Sequence, residues 1–239
     1  MIRSRAVVLA LTCTGIHLLT SSVGAQQYVT DDAALTDYRA CQIQLWHGQR
    51  SSQILPACTP VHNLELSVGL IAVWKDGADG HFEYTAQAKT LFKPMTTDSW
   101  GAGLAIGVGR DPAFSGTARG ANTVYAYVPL SLPLAQSRIV LHENLGWLYR
   151  SAHGIGANAI TYAVRGDAWA WPRLAFIGEV YGAVAPGPKS AETPAEFQLG
   201  VRSSARSAQF DLSYGAEVRT RRRGPGWTIG LSFTTPPFL

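Results

Sequence analysis

The sequence predicts an all-β chain folded as a transmembrane antiparallel β-barrel of about ten strands, or twelve if residues 38–47 also span. Two observations carry this. From residue 64 onward, segments of about ten residues alternate apolar and polar side chains, as in Phe82, Tyr84, Ala86 and Ala88 against Glu83, Thr85, Gln87 and Lys89. Period-two alternation puts one set on each face of a strand, and many such strands without an intervening helical pattern read as a barrel with an apolar outside and a polar inside. Trp74, Trp100, Trp147, Trp171 and Trp227 fall near the predicted strand ends, where amphipathic rings suit a membrane interface. A soluble β-sandwich also alternates, but is expected to spread its aromatics through a core.

The N-terminus reads as a signal peptide. Arg3 and Arg5 give a positive start, an apolar stretch runs to Leu19, and Val23-Gly24-Ala25 supplies small residues for cleavage. Using Cys13 instead as a lipid acceptor would require a leucine at −3 and a small residue at −1, and Ala10-Leu11-Thr12 supplies neither. Cleavage after Ala25 leaves 214 of 239 residues and removes two arginines and no acid, lowering the formal net charge from +4 to +2. That is too little charge to suggest a nucleic-acid partner. No later segment is a continuous apolar span of helical-membrane length, so a membrane location requires a closed barrel.

Residues 26–62 are expected to form an N-terminal periplasmic segment, and residues 63–239 the barrel. Residues 26–37 are polar without a period and read as mobile. Residues 38–47 could form a short strand, and 48–62 read as a Ser/Pro-containing loop. Removal of Cys13 leaves Cys41 and Cys58, which in an exported chain are expected to form a disulfide rather than a metal site. Closing a loop of roughly 16 residues is worth about 3 kcal/mol in the chain-entropy account.

The barrel strands are predicted at 64–74, 81–93, 99–109, 122–131, 138–150, 157–166, 171–184, 195–204, 207–219 and 226–235. The connections at 75–80, 110–121, 151–156, 185–194 and 220–225 are assigned outside the cell, and those at 94–98, 132–137, 167–170 and 205–206 to the periplasm. An even strand number puts both termini in the periplasm. The strand 99–109 carries only glycine and alanine on one face, which suits a lumen crowded by opposing side chains or an inserted segment.

Gly226-Trp-Thr-Ile-Gly-Leu-Ser-Phe233 resembles the C-terminal assembly signal of outer-membrane barrels, although Pro236-Pro237-Phe238-Leu239 extends beyond the usual terminal Phe. Leu141-His-Glu-Asn-Leu-Gly-Trp147, Phe176-Ile-Gly-Glu-Val-Tyr-Gly182, Phe197-Gln-Leu-Gly-Val-Arg202 and Asp211-Leu-Ser-Tyr-Gly215 resemble strands of proteobacterial barrels grouped with the transporter-like family of the MetA pathway of phenol degradation. The resemblance covers about residues 60–235. It implies an outer-membrane barrel loosely linked to transport of small, often aromatic, compounds, and brings no catalytic residues.

The inward parity carries Glu65, Glu83, Lys89, His142, Asn144, Arg165, Glu179, Arg202, Asp211, Glu217 and Arg219. These read as an ion-paired network filling a narrow lumen, or as a polar pathway that selects a solute. His142 and Asn144 share a face and, with a serine, could mimic a hydrolase triad, but no nucleophile elbow supports it. Glu143 falls on the lipid-facing parity, which is best met if the strand begins near Asn144. Arg221, Arg222 and Arg223 are candidates for phosphates of lipopolysaccharide. The expected function is a small passive channel or facilitator for small solutes, hydrophobic ones included, without catalysis, cofactor or metal. A surface-interaction barrel with a plugged lumen is the alternative, and a membrane-embedded lipid hydrolase a more distant one. Expected partners are outer-membrane lipids and lipopolysaccharide, the barrel assembly machinery, and an unknown solute.

Overall fold

In the computed structural model, residues 28–75, 78–112, 120–152, 155–184, 193–219 and 224–238 are described. The predicted signal peptide and Arg221, Arg222 and Arg223 lie outside them. Twelve strands follow in order: β1 (Cys41–Gly48), β2 (Ser51–Val61), β3 (Leu64–Lys75), β4 (Ala78–Lys93), β5 (Gly101–Arg110), β6 (Thr123–Leu134), β7 (Ile139–Ala152), β8 (Ile155–Trp171), β9 (Leu174–Val184), β10 (Thr193–Ala205), β11 (Ala208–Glu217) and β12 (Gly226–Thr234). Each strand pairs antiparallel with its chain neighbours, and β12 closes the barrel on β1 from Gln42↔Thr234 to Gly48↔Thr228. Closure leaves no free edge, so every strand finds backbone partners on both sides.

The strand count is therefore twelve, not ten. The two additional strands are β1, foreseen as optional, and β2, read from sequence as a loop. Pro56 and Pro60 hide β2, because proline withholds an N–H and interrupts the ladder. Its pairing to β3 shifts register between Cys58 and Val61. The alternation persists nonetheless: Leu55, Ala57 and Thr59 are buried, whereas Ile54 is exposed. The Cys41–Cys58 disulfide is present and joins residues directly opposite in the β1–β2 ladder, with Cα atoms 4.1 Å apart. Residues 41–61 are thus barrel wall rather than a separate segment.

The outward face is apolar. Leu145, Leu199 and Val68 are 64%, 61% and 58% exposed, among many exposed large hydrophobics on this face. Aromatic side chains gather at both rims. His47 lies 5.7 Å from the Trp74 ring and 5.4 Å from the Trp227 ring at one end. At the other end Lys93 Nζ sits 3.9 Å from the centre of Trp100. Glu143 does face outward, half-buried, within an unbroken β7–β8 register that starts at Ile139. The strand therefore begins before Asn144, contrary to the sequence expectation, and Glu143 sits in its first half, toward the rim where a carboxylate costs less.

The inward face is polar and packed with side chains. Gly107 faces Tyr125 across the β5–β6 ladder, and a Cβ at Gly107 would collide with the phenol ring. The space at Gly107 is therefore taken by a ring from the adjacent strand, rather than by side chains from across the lumen or an inserted segment as the sequence suggested.

Candidate functional site: a lumen occupied by the N-terminal segment

Residues 28–37 run inside the barrel, at the end where the chain enters β1. Tyr28, Thr30, Asp31 and Ala33 are all 3% exposed or less. The expectation of a mobile tail is corrected for this stretch. Wall side chains from at least five strands hold its backbone. On β9, Glu179 accepts hydrogen bonds from the N–H groups of Val29 (3.2 Å) and Thr30. Arg165 on β8 donates Nη1–H to Thr30 O at 2.7 Å. Ser131 on β6 accepts the Ala33 N–H at 2.8 Å. Glu65 on β3 accepts from both the N–H and the hydroxyl of Thr36, at 2.8 and 2.7 Å. Asn144 on β7, with its amide turned to satisfy both groups, donates to Asp31 O and accepts from Asp31 N–H at 3.0 and 2.7 Å. An extended segment in a closed lumen has no strand partner, so side chains take over the pairing of its backbone.

Asp31 is the centre of the attachment. Its Oδ1 accepts from Lys89 Nζ at 2.7 Å and its Oδ2 from the Tyr127 hydroxyl at 2.7 Å. Lys89 Nζ is also 3.7 Å from Asp32. Lys89 and Asp31 are both almost completely buried.

Below Tyr28 lies a chain of charges. Arg165 Nε donates to Asp167 Oδ1 at 2.9 Å, and Arg202 Nη1 to Asp167 Oδ2 at 3.0 Å. Arg202 Nε donates to Asp211 Oδ1 at 2.8 Å, and Gln209 to the other Asp211 oxygen at 3.0 Å. Alternating signs let each ion offset its neighbour's desolvation. The Tyr28 ring rests against this row, 5.7 Å from the guanidinium carbons of both Arg165 and Arg202. Its phenol fills the space left by Gly200, where a Cβ would collide with the hydroxyl. Burial, with the Asp211 carboxylate nearby, pushes the Tyr28 phenol well above its usual range, so it stays neutral.

Ser131, His142 and Asp167 form a line. Ser131 Oγ is 2.7 Å from His142 Nδ1, and His142 Nε2 is 3.8 Å from Asp167. Ser131 also accepts the Ala33 N–H, so its oxygen is hydrogen-bonded to both the segment and the imidazole. It is fully buried beneath the segment. In this arrangement the serine fastens the segment and its oxygen is shielded from solvent.

Most of the sequence candidates thus converge on one place. Glu65, Lys89, Asn144, Arg165 and Glu179 bind the segment directly, while His142, Arg202 and Asp211 support it. Glu83 and Glu217 sit toward the opposite end of the lumen. Glu83 contacts His81, and Glu217 is buried opposite Glu196 on β10. Arg219 does not line a strand: β11 ends at Glu217, and Arg219 is exposed in the turn beyond it. Sequence reasoning missed Asp31, Tyr127, Ser131 and Asp167. Asp167 was placed in a turn, although it shares parity with Arg165, and β8 continues to Trp171.

Residues 16–233 match the family described as Uncharacterised conserved protein UCP029691. A search of the curated proteins finds no match. Among solved structures, the KdgM porin, determined in complex with disordered oligogalacturonate, is similar with a TM-score of 0.60 at 7% identity, over 82% of this chain and 99% of that one. The NanC porin is similar with a TM-score of 0.56 at 10% identity, over 81% and 98%. An outer membrane channel from Pseudomonas putida F1 is similar with a TM-score of 0.55 at 8% identity, over 82% and 93%. At these identities the likeness establishes the fold, a twelve-stranded barrel of the outer-membrane type. Since the family match runs over nearly the whole chain, the protein belongs to the uncharacterised conserved family UCP029691.

Proposed function

We propose that the protein resides in a bacterial outer membrane and acts as a narrow passive channel whose periplasmic end is closed by its own N-terminal segment. The observation that carries this is the attachment of residues 28–36 inside the lumen through polar side chains of the wall, with Tyr28, Thr30, Asp31 and Ala33 buried. A purely structural plug could be sealed by apolar packing. This one is held by ions and hydrogen bonds, whose partners water can replace once the segment withdraws. The apolar belt and aromatic rims supply the membrane-facing side. An export signal in residues 1–25, and the names porin and channel carried by the structural neighbours, support the same reading.

The solute is a small polar molecule rather than a hydrophobic one. Away from the segment the lumen presents hydrogen-bonding groups: Thr85 with Tyr125 (2.8 Å) and Tyr181 with Glu196 (2.6 Å). The resemblance to the phenol-pathway transporter-like family fits a phenolic or similarly hydrogen-bonding compound. Transport is passive and uses no cofactor. Arg219, exposed in the turn beyond β11, together with Arg221, Arg222 and Arg223, offers guanidinium groups to lipopolysaccharide phosphates. β12 presents the assembly signal to the barrel-insertion machinery.

A sealed surface barrel is the second reading, favoured by the number of bonds to residues 28–36. Membrane fractionation with gel mobility tests the ground common to both. The expected result is recovery in the outer-membrane fraction and faster migration when unboiled. A soluble protein without a mobility shift would remove both.

A further inference from the structure

The structure assigns a second site, at the end of the lumen opposite the N-terminal segment. We propose that His81, Glu83 and Asp111 bind a divalent transition-metal cation of the zinc class. His81 and Glu83 lie two residues apart on β4, so both point into the lumen. Asp111 follows the last residue of β5, the neighbouring strand. His81 Nε2 is 3.0 Å from Glu83 Oε1 and 3.5 Å from Asp111 Oδ1, and the three candidate ligand atoms all lie within 4.8 Å of one another. Tetrahedral zinc with ligands at its usual distances has ligand–ligand edges of about 3.3–3.6 Å. The His81–Asp111 distance lies in that range and the His81–Glu83 distance just below it, so small side-chain adjustments bring the three atoms around one cation.

Two further features favour a ligand set over a simple ion pair. With the histidine neutral, the two carboxylates outweigh the single positive charge of Arg150, and a dication offsets the remaining negative charge. The Asp111 backbone is also fixed. Its N–H donates to Asn122 Oδ1 at 2.9 Å, and its carbonyl accepts from Asn122 Nδ2 at 2.8 Å. Asn122 in turn accepts a hydrogen bond from Ser151 N–H on β7 through its carbonyl, at 2.8 Å. Such outer support holds a ligand in position. Arg150 on β7 acts on Glu83 electrostatically and offsets part of the charge, which favours an exchangeable cation over a permanent one. The side chains of His81, Glu83 and Asp111 are 21%, 25% and 14% exposed, so a hydrated ion can reach them from the mouth. Histidine binds as the neutral base through Nε2, with its proton at Nδ1, and a fourth position stays open to water.

The test uses the untagged folded barrel in detergent, titrated with Zn2+ by calorimetry and with Co2+ by visible absorption. One saturable equivalent is expected, with Co2+ acquiring the intense bands of a four- or five-coordinate ion. His81→Gln should weaken Zn2+ binding by more than about 100-fold, beyond the loss typical of outer-shell changes. Asp111→Asn should also weaken it, with gel mobility confirming that both variants remain folded. Absence of saturable binding, or binding unchanged in folded His81→Gln, would overturn the assignment.

Discussion

Lys89 and Asp31 form a buried ion pair, Nζ to Oδ1 2.7 Å, that joins the barrel wall to the N-terminal segment. Removing one member of a buried pair strands the other without water or partner, typically at about 3–5 kcal/mol. Asp31 can escape that cost by leaving the lumen, since it sits on a segment rather than on the wall. Lys89→Ala is therefore expected to release residues 28–36 without unfolding the barrel. Limited proteolysis should show N-terminal cleavage in the variant and protection in the parent, with unchanged heat-modifiability. Equal protection in both would show that the pair does not hold the segment.

Gly200 leaves the space that the Tyr28 phenol occupies. Gly200→Leu fills it from the wall side. A Cβ there would also come within 2.6 Å of the Leu212 carbonyl oxygen and 2.9 Å of Ser213 Cβ on β11, so the change strains the wall as well as removing the segment's anchor against Arg165 and Arg202, and gel mobility must show a folded barrel before protection is compared. Protease sensitivity should rise as for Lys89→Ala. Tyr28→Ala combined with Gly200→Leu should be no more sensitive than Gly200→Leu alone, because both act on one contact.

Arg202 and Asp211 are a cross-strand pair, opposite in the β10–β11 register and bonded at 2.8 Å. Both are buried in the charge row. Asp211→Ala should lower barrel stability by about 3–5 kcal/mol, read from denaturant unfolding in detergent. Replacing both residues with apolar ones of similar volume should cost clearly less than the single change. Additive losses would contradict a coupled pair.

The disulfide between Cys41 and Cys58 closes β1 onto β2 near the terminal rim. Cys41→Ser with Cys58→Ser should leave the barrel closed, because the β1–β12 and β1–β2 ladders remain. It should lower stability by about 3 kcal/mol. Loss of the heat-modifiable form would mean that the bond is needed for closure.

Alternation made most of the wall legible. The outward row on β4 (Phe82, Tyr84, Ala86, Ala88) and the inward row on β11 (Gln209, Asp211, Ser213) lie where period two puts them. It failed where local chemistry masks the period. Pro56 and Pro60 hid β2, and an aspartate taken as a turn residue cut β8 short at Asp167. The placement of residues 28–37 in the lumen was illegible for a different reason. Residues 28–37 have no period, because they belong to no strand, and their placement in the lumen comes from wall side chains distant in sequence. Glu179 is separated from Thr30 by 149 residues. The inward charges were read as pairing among themselves across the lumen, and Asp31 was one polar residue among many in an apparently featureless stretch.

Planar-bilayer conductance of the intact barrel, compared with a variant lacking residues 28–37, tests the central claim most directly. The intact protein should be nearly silent, and the shortened one should show discrete conductance steps, with both migrating as folded barrels. Equal conductance in the two, whether open or silent, would contradict closure of a channel by the N-terminal segment.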